Sequence, residues 1–351
     1  MRNLKKIIVF TLILSLVVVG FSACGNSSQP QGGGSSEATA ADPIIIKWGH
    51  TDTEAVSPHK AGLWLKDWLA KETDGRLVLE MYPNSLLGDD DEILKGILLG
   101  TADMYVGMGV VGWVAGEQAN ITELPFVYDS YEDWYMGTFE KGGLALYNQA
   151  LQGTGFVCLD FHYFGSRQIA HNKKIIHSID ELNGFKVRVT PTELNLAIWS
   201  AWGANPTPVP WGEVYTSLTQ GVVDGVCHVL PLIIDARFFE AAPYITLTNH
   251  ITAPYTLMTS QKFLDSLPPD LYEIFIRGVK EMGDVQRAME REAEKEYFQI
   301  LADFGCTVEE APQVLKDQMR AMAEPIYEIQ RAASGADLVN AFLATGGNFR
   351  D

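Results

Sequence analysis

Two periods run through this chain, about 3.6 residues for helices and 2 for strands, and the points where one replaces the other mark its elements. Residues 7–21 (IIVFTLILSLVVVGF) follow neither; they form one uncharged apolar run behind Arg2, Lys5 and Lys6. Ile44 to Trp48 reads as a short apolar strand. Ser57-Pro58 then open a helix with residue types favoured at the N-cap and first turn. Its Ala61, Trp64, Leu65, Trp68 and Leu69 keep the i, i+3, i+4, i+7, i+8 spacing of one buried stripe. Asp74-Gly75 end it, and Arg76 to Tyr82 alternate as a strand. Asp89-Asp-Asp-Glu92 supply a capping box for a helix through Leu99, and Thr101 to Val106 is a further strand.

The alternation continues with helix 130–151 before strand 155–163, strand 185–189 before helix 192–202, and helix 211–220 before strand 223–229. Helix and strand in turn, joined by short loops, predict an α/β layered architecture. Residues 269–304 form one charged, periodic helical stretch, on the order of 54 Å long at ~1.5 Å per residue. Such a helix outruns a single domain of ~150 residues, so it is expected to brace two lobes, with Gly278 and Gly283 as kink points. Two helices broken at Gly283 are the alternative.

The ends of the chain set the compartment. A basic start, a short apolar core and the small residues Ser22-Ala23 are the marks of a secretory signal over residues 1–23. The run is shorter than the ~20 residues a spanning helix needs. Ser22-Ala23-Cys24 also resembles the lipobox of bacterial lipoproteins, in which the thiol takes a lipid, although Phe21 stands where an aliphatic is usual. A signal-anchor with an incidental Cys24 is the alternative. Residues 25–41 (GNSSQPQGGGSSEATAA) hold no large apolar side chain and read as a flexible tether, so the folded body begins near Asp42.

Composition then removes several function classes. The chain carries a formal charge of −18, and loss of Arg2, Lys5 and Lys6 makes it more acidic still. Nucleic acid needs a basic surface and is not an expected partner. An anionic ligand would gain nothing from long-range steering and needs a few placed cations. With Cys24 set aside, Cys158, Cys227 and Cys306 are an odd number with no CxxC spacing, which fits buried thiols rather than a disulfide framework or zinc site. The seven histidines show no HExxH pairing, so no metal and no cofactor is expected.

Gly107-Met-Gly109-Val-Val-Gly112 is a literal GxGxxG after a strand. A dinucleotide site would need a helix directly after it, and Gly116 and Leu124-Pro125 leave little room for one. A glycine-rich loop at a cleft edge is the preferred reading, with Val110 in it counted among candidate ligand contacts. Arg167 follows Gly165-Ser166 beyond a strand end. Arg188 lies inside Phe185-Lys-Val-Arg-Val189, where alternation sets Phe185, Val187 and Val189 on one face and Lys186 and Arg188 on the other. A guanidinium holds a carboxylate through two parallel bonds, yet periodicity by itself reads Arg188 as an ordinary ion-paired or solvent-facing strand residue. Trp211 opens a helix after a Pro-rich turn (205–210), a position from which a ring would wall a pocket.

Five further segments carry a resemblance: Glu80-Met-Tyr-Pro-Asn-Ser-Leu-Leu-Gly88, Leu124-Pro-Phe126, Gly184-Phe-Lys-Val-Arg-Val189, Gly203-Ala-Asn-Pro-Thr-Pro-Val-Pro210 and, most specific, Trp211-Gly-Glu-Val-Tyr-Thr-Ser-Leu-Thr-Gln-Gly-Val-Val-Asp-Gly225. Over about residues 45–330 the chain resembles the DctP-type solute receptors of tripartite ATP-independent periplasmic (TRAP) transporters. The resemblance implies a two-lobed, periplasmic-binding-protein-like α/β fold with a hinge, closing on a small organic acid and delivering it to TRAP membrane subunits. It implies no catalysis. It makes Arg188 the main carboxylate clamp, Arg167 an assisting arginine, and Trp211 an aromatic against the ligand. His228 stands where many members have Asn, and His50 in the loop after the first strand; each is a ligand contact or a plain cleft-wall residue. Cys227-His228 depart from the commoner residues after Asp-Gly, so ligand identity does not transfer. Lobe 1 is expected over 42–164 plus about 252–285 and lobe 2 over 165–251 plus about 286–351, in a monomer tied to the membrane by its lipid alone. A sensory module presenting the same ligand, or a dinucleotide-binding enzyme, are the alternatives.

Overall fold

The computed structural model describes residues 42–349; the signal segment, Cys24 and the tether expected over 1–41 lie outside them. Eleven strands are present among these residues: β1 (Ile44–Gly49), β2 (Leu77–Tyr82), β3 (Met104–Gly107), β4 (Phe156–His162), β5 (Arg167–His171), β6 (Lys186–Val189), β7 (Asn205–Pro208), β8 (Gly225–Val229), β9 (Tyr244–Leu247), β10 (Tyr255–Ser260) and β11 (Thr307–Glu310). They form a five-stranded sheet of order β2-β1-β3-β10-β4 and a six-stranded sheet of order β11-β9-β5-β8-β6-β7. Each sheet is the core of one lobe. β1 lies parallel between β2 and β3, and β6 parallel between β7 and β8. Parallel neighbours need crossover helices, which here cover the sheet faces.

The chain passes between lobes at 163–166 and again at 248–254. The strands flanking these passages pair with each other in both lobes, β4 with β10 (His162↔Tyr255) and β5 with β9 (Ile169↔Thr246). The two passages are also tied together, Ser166 Oγ to Thr252 Oγ1 at 2.6 Å and Arg167 N–H to Ile251 O at 2.7 Å. A short two-stranded ribbon of this kind bends as a unit, which suits a hinge.

The third connection is the helix Pro269–Asp303, 35 residues without a break. Its Phe275, Val279 and Met282 join the core around the first sheet, and its Leu301 joins the cluster around the second. The glycines expected to kink it do something else. A Cβ on Gly278 would stand 2.6 Å from the Trp68 ring, and one on Gly283 would stand 1.7 Å from Asp160 Oδ2. Both are places where a neighbour presses against the helix backbone, and the second lets Arg287 reach the buried Asp160 at 2.9 Å.

Three other expectations change. Helix 130–151 is interrupted into Tyr131–Tyr135, a π-turn at Met136–Glu140 and Gly143–Ala150, because Gly142 takes a left-handed φ of 83°. The Pro-rich segment read as a turn contains β7; two prolines are tolerated there because β7 is the edge of its sheet, with an unpaired side. The C-terminal segment expected in lobe 2 returns to lobe 1 from Glu324 onward. Tyr327 Oη donates to Pro125 O at 2.8 Å and Gln330 Nε2 to Glu117 O at 3.1 Å, while Tyr128 Oη meets Thr345 Oγ1 at 2.8 Å. Periodicity shows that these helices have an apolar face (Ile326, Tyr327, Val339, Phe342) but cannot say which lobe it covers.

Candidate functional site

Parallel strands deliver their C-terminal ends to one side of a sheet, where loops rather than helices follow, and ligands of such sheets bind there. In this protein the C-terminal ends of both lobes face one chamber. Thr51 and Asp52 after β1, Met108 and Val110 after β3, and Asp90 at a helix start come from the first lobe; Arg188, Thr190, Trp211 and His228 come from the second. The chamber is tight, about 20 Å³, and shares Asp90, Trp113 and Trp211 with an outer hollow of about 520 Å³. A chamber of that size has room for about one water. The lobes touch around it: Trp113 Nε1 donates to Pro191 O at 2.7 Å, and Thr53 bonds Asp235.

Arg188 is the centre of the second-lobe wall. It is neither the solvent-facing nor the ion-paired residue that periodicity suggests, being only 2% exposed and in no ion pair among the described residues. Its Nε and Nη2 both donate to Val209 O, at 3.0 and 2.8 Å, and its Nη1 has no hydrogen-bond partner. No carboxylate of the described residues forms an ion pair with it. Burial, then the neighbouring Arg167, push its pKa down to about 9. Asp90 across the chamber offsets part of this without bonding to it; a buried cation with no bonded counter-ion is costly, so this position is one an anion would relieve. The Trp211 ring flanks it, 5.7 Å from centroid to Cζ, and rests edge-on against His228 at 5.1 Å. His228 Nδ1 accepts the Val229 N–H at 3.0 Å, and burial followed by the two arginines holds the ring neutral, so the proton sits on Nε2.

Arg167 and His50 are placed differently. Arg167 is absent from the chamber wall; its Nη2 meets Glu123 Oε2 at 2.7 Å across the lobe boundary, with both side chains 1% exposed. His50 is fully buried behind the wall, paired with His59 at 3.0 Å. Cys227 likewise lies behind the wall, its Sγ 3.1 Å from His250 Nε2, with burial pushing the thiol up to about 11.

The glycine triplet packs, as a cleft-edge loop does. A Cβ on Gly107 would overlap the Tyr105 hydroxyl at 1.7 Å, and one on Gly112 would meet Asn120 Oδ1 at 2.2 Å. The helix that follows is only Gly112–Ala115. Gly109, at φ 71°, lies over the Arg167–Glu123 pair, where a Cβ would stand 3.0 Å from Arg167 Nη2.

The first-lobe wall holds residues that the sequence reading passed over. Asp52 is 3% exposed and bonded by the Tyr255 hydroxyl; burial pushes its carboxyl up to about 8. Asp90 is 8% exposed, its Oδ1 accepts from Thr51 Oγ1 at 3.1 Å and Tyr105 Oη at 2.8 Å, and burial raises its carboxyl as well. In so acidic a chain nothing singles these two out; the only signal was position, directly after β1 and at the start of a helix.

A family model for bacterial extracellular solute-binding protein, family 7 (DctP), matches residues 48–333. The 2,3-diketo-L-gulonate-binding periplasmic protein of Escherichia coli is 26% identical, the alignment covering 84% of this chain and 90% of that one. A solute-binding protein of Roseobacter denitrificans is 30% identical over 78% of this chain and 83% of its own. Among solved structures, a TRAP periplasmic solute-binding protein from Sulfitobacter with bound β-D-galacturonate superimposes with a TM-score of 0.80 at 29% identity, covering 86% of this chain and 100% of that one. One from Haemophilus influenzae with bound L-gulonate gives 0.80 at 25% identity, over 87% and 99%. These relatives bind solutes rather than transform them. With its two lobes, its interlobe chamber and a match over most of its length, the chain belongs to the DctP family of bacterial extracellular solute-binding proteins.

Proposed function

We propose that this protein captures a small organic acid outside the cytoplasm and hands it to TRAP-type membrane subunits, with Arg188 holding the carboxylate. The observation that carries the reading is the buried Arg188 guanidinium, which has one edge on Val209 O, a free Nη1 and no ion pair among the described residues. A carboxylate there gains charge-assisted bonds and removes the cost of an uncompensated buried charge. His228 adds its Nε2–H, and Trp211 with Val110 closes the sides. The sugar acids bound by the related Sulfitobacter and Haemophilus structures support the ligand class.

The chamber as it stands is too small to admit an organic acid, so entry requires the lobes to part at the 163–166 and 248–254 ribbon. The acid docks on Arg188 in the parted form. Closure then remakes the Trp113–Pro191 and Thr53–Asp235 contacts and the Arg167–Glu123 pair, and expels water, which strengthens each charge interaction inside. Arg167 serves closure rather than ligand contact in this scheme, and His50 supports the wall from behind. The receptor works as a monomer, and a lipid on Cys24 with the 25–41 tether keeps it at high local concentration beside its transporter.

The test is a thermal-shift screen of residues 42–351 against organic acids and their neutral amides or alcohols. At 100 times its dissociation constant a ligand stabilises by ~2.7 kcal/mol. A response confined to acids is expected; a response to neutral compounds with none to acids would sink the reading.

A further inference from the structure

We propose that the receptor takes up a proton from solvent as it closes on its acid, and that Asp52 holds that proton. This rests on the reading of the interlobe chamber as the site of a carboxylate. The chamber wall carries one guanidinium, Arg188, and two carboxyls, Asp52 and Asp90. His228, on the same wall, is held neutral by burial and the two arginines. An acid docked on Arg188 therefore makes three carboxyl groups against one cation. The closed space is about 20 Å³, with room for about one water, so neither solvent nor a mobile cation screens the excess. A buried group so placed gains a proton rather than stay charged without a partner.

Of the two wall carboxyls, Asp52 is the one placed to take the proton. Burial raises the Asp90 carboxyl, but its Oδ1 accepts from Tyr105 Oη at 2.8 Å and Thr51 Oγ1 at 3.1 Å, and Arg188 faces it, all favouring the ionised form. Asp52 has one hydroxyl donor, Tyr255, on its Oδ2. The charges that face it are like its own: Asp90 beside it, and Asp235 at the end of the helix Leu230–Asp235 of the opposite lobe. His50 behind it is neutral and Tyr105 is a phenol, so no cation counters Asp52 from the elements packed around it among the described residues. Burial, then Asp90 and Asp235 against the opposing Tyr255 bond, push the closed carboxyl up to about 8. This surrounding belongs to the closed form, because Thr53, next in the chain, bonds Asp235 across the lobe boundary. When the lobes part, water reaches Asp52, Asp235 moves away, and the affinity for the proton falls. On closing, Oδ1 takes the proton from solvent and becomes a hydrogen-bond donor on a wall of acceptors.

The test is calorimetry on residues 42–351 with the acid that gives the largest thermal shift in a screen including galacturonate and gulonate. Titration at pH 8 in phosphate and in Tris counts the protons taken up, because the two buffers release a proton with different heats. About half a proton or more per acid is expected. Affinity falls tenfold per pH unit where a whole proton is taken up, so it is expected to be about tenfold weaker at pH 9 than at pH 7. Asp52→Asn is neutral at every pH, and both the proton uptake and the pH dependence should vanish in it. Tyr255→Phe removes the bond that favours ionised Asp52, so it should move the fall in affinity up by about one pH unit. Binding by the wild type with no proton uptake overturns the inference and leaves the carboxylate receptor standing. Uptake that persists in Asp52→Asn, or an unshifted profile in Tyr255→Phe, places the proton on another group and overturns it too. Tyr255→Phe decides the matter should Asp52→Asn not fold. Failure of every acid to bind removes the receptor reading itself.

Discussion

Removing Glu123 isolates the contribution of closure from that of ligand contact. Glu123 comes from the first lobe and meets Arg167 of the second at 2.7 Å, and each side chain is 1% exposed. In Glu123→Gln the Arg167 charge stays buried when the lobes are together, with its Nε already unpartnered. Breaking a buried pair on one side costs about 3–5 kcal/mol. When the lobes part, water reaches the guanidinium and most of that cost disappears. The penalty thus falls on the closed state, and ligand binding, which requires closure, should weaken by about 100-fold to several thousand-fold at ~1.4 kcal/mol per factor of ten. Replacing both partners, Glu123→Leu with Arg167→Met, removes the stranded charge and should recover much of the loss. Calorimetry on the two single variants and the double variant gives the coupling directly. Wild-type affinity in Glu123→Gln, or a double variant as weak as the singles added together, would refute the reasoning and return Arg167 to the ligand.

Three further outcomes follow from the packing and the buried groups. Gly283→Ala puts a methyl 1.7 Å from Asp160 Oδ2 and must displace it from Arg287, so urea unfolding should show a loss of about 1–3 kcal/mol, with ligand affinity little changed. Asp52 has its carboxyl pushed up to about 8 in the folded state, so the native protein keeps a proton that the unfolded chain releases. Its contribution is full below the ordinary aspartate range and is lost as pH rises toward 8. Asp52→Asn should therefore flatten the decline of unfolding free energy across that window, by at most about 1.4 kcal/mol per pH unit. In residues 42–351, a thiol reagent should reach at most Cys306 before unfolding and three thiols afterwards, because Cys158 and Cys227 are buried and unbridged.

Much of the fold could be read from periodicity because the elements are amphipathic. The Asp89 capping box, the buried stripe of the helix Ser57–Glu72 and the unbroken helix from Pro269 are set by local chemistry and short repeats, although Ser57 does not cap its helix: the N-cap is Val56 and the Ser57 hydroxyl donates to Glu290. What could not be read depends on tertiary position. β7 is a strand only because an edge accepts its prolines, and the two glycines of the long helix are explained by Trp68 and Asp160, residues far away in sequence. The same divide runs through the site. Arg188, Trp211, His228 and Val110 line the chamber, and the motif resemblance is needed to prefer Arg188, since periodicity by itself reads it as an ordinary ion-paired or solvent-facing residue. His50 was drawn by its loop, whereas the wall is formed by the next two residues. Asp52, Asp90 and Glu123 were invisible among many acidic residues, because only burial distinguishes them.

Arg188→Met, read in two ways on residues 42–351, tests the central claim most directly. The variant removes a buried charge that forms no ion pair among the described residues, so without ligand its melting temperature should equal or exceed the wild type's, while calorimetry with an acid that binds the wild type should show no binding. A variant that melts lower yet still binds the acid would show Arg188 to be an ordinary structural residue and would contradict the account.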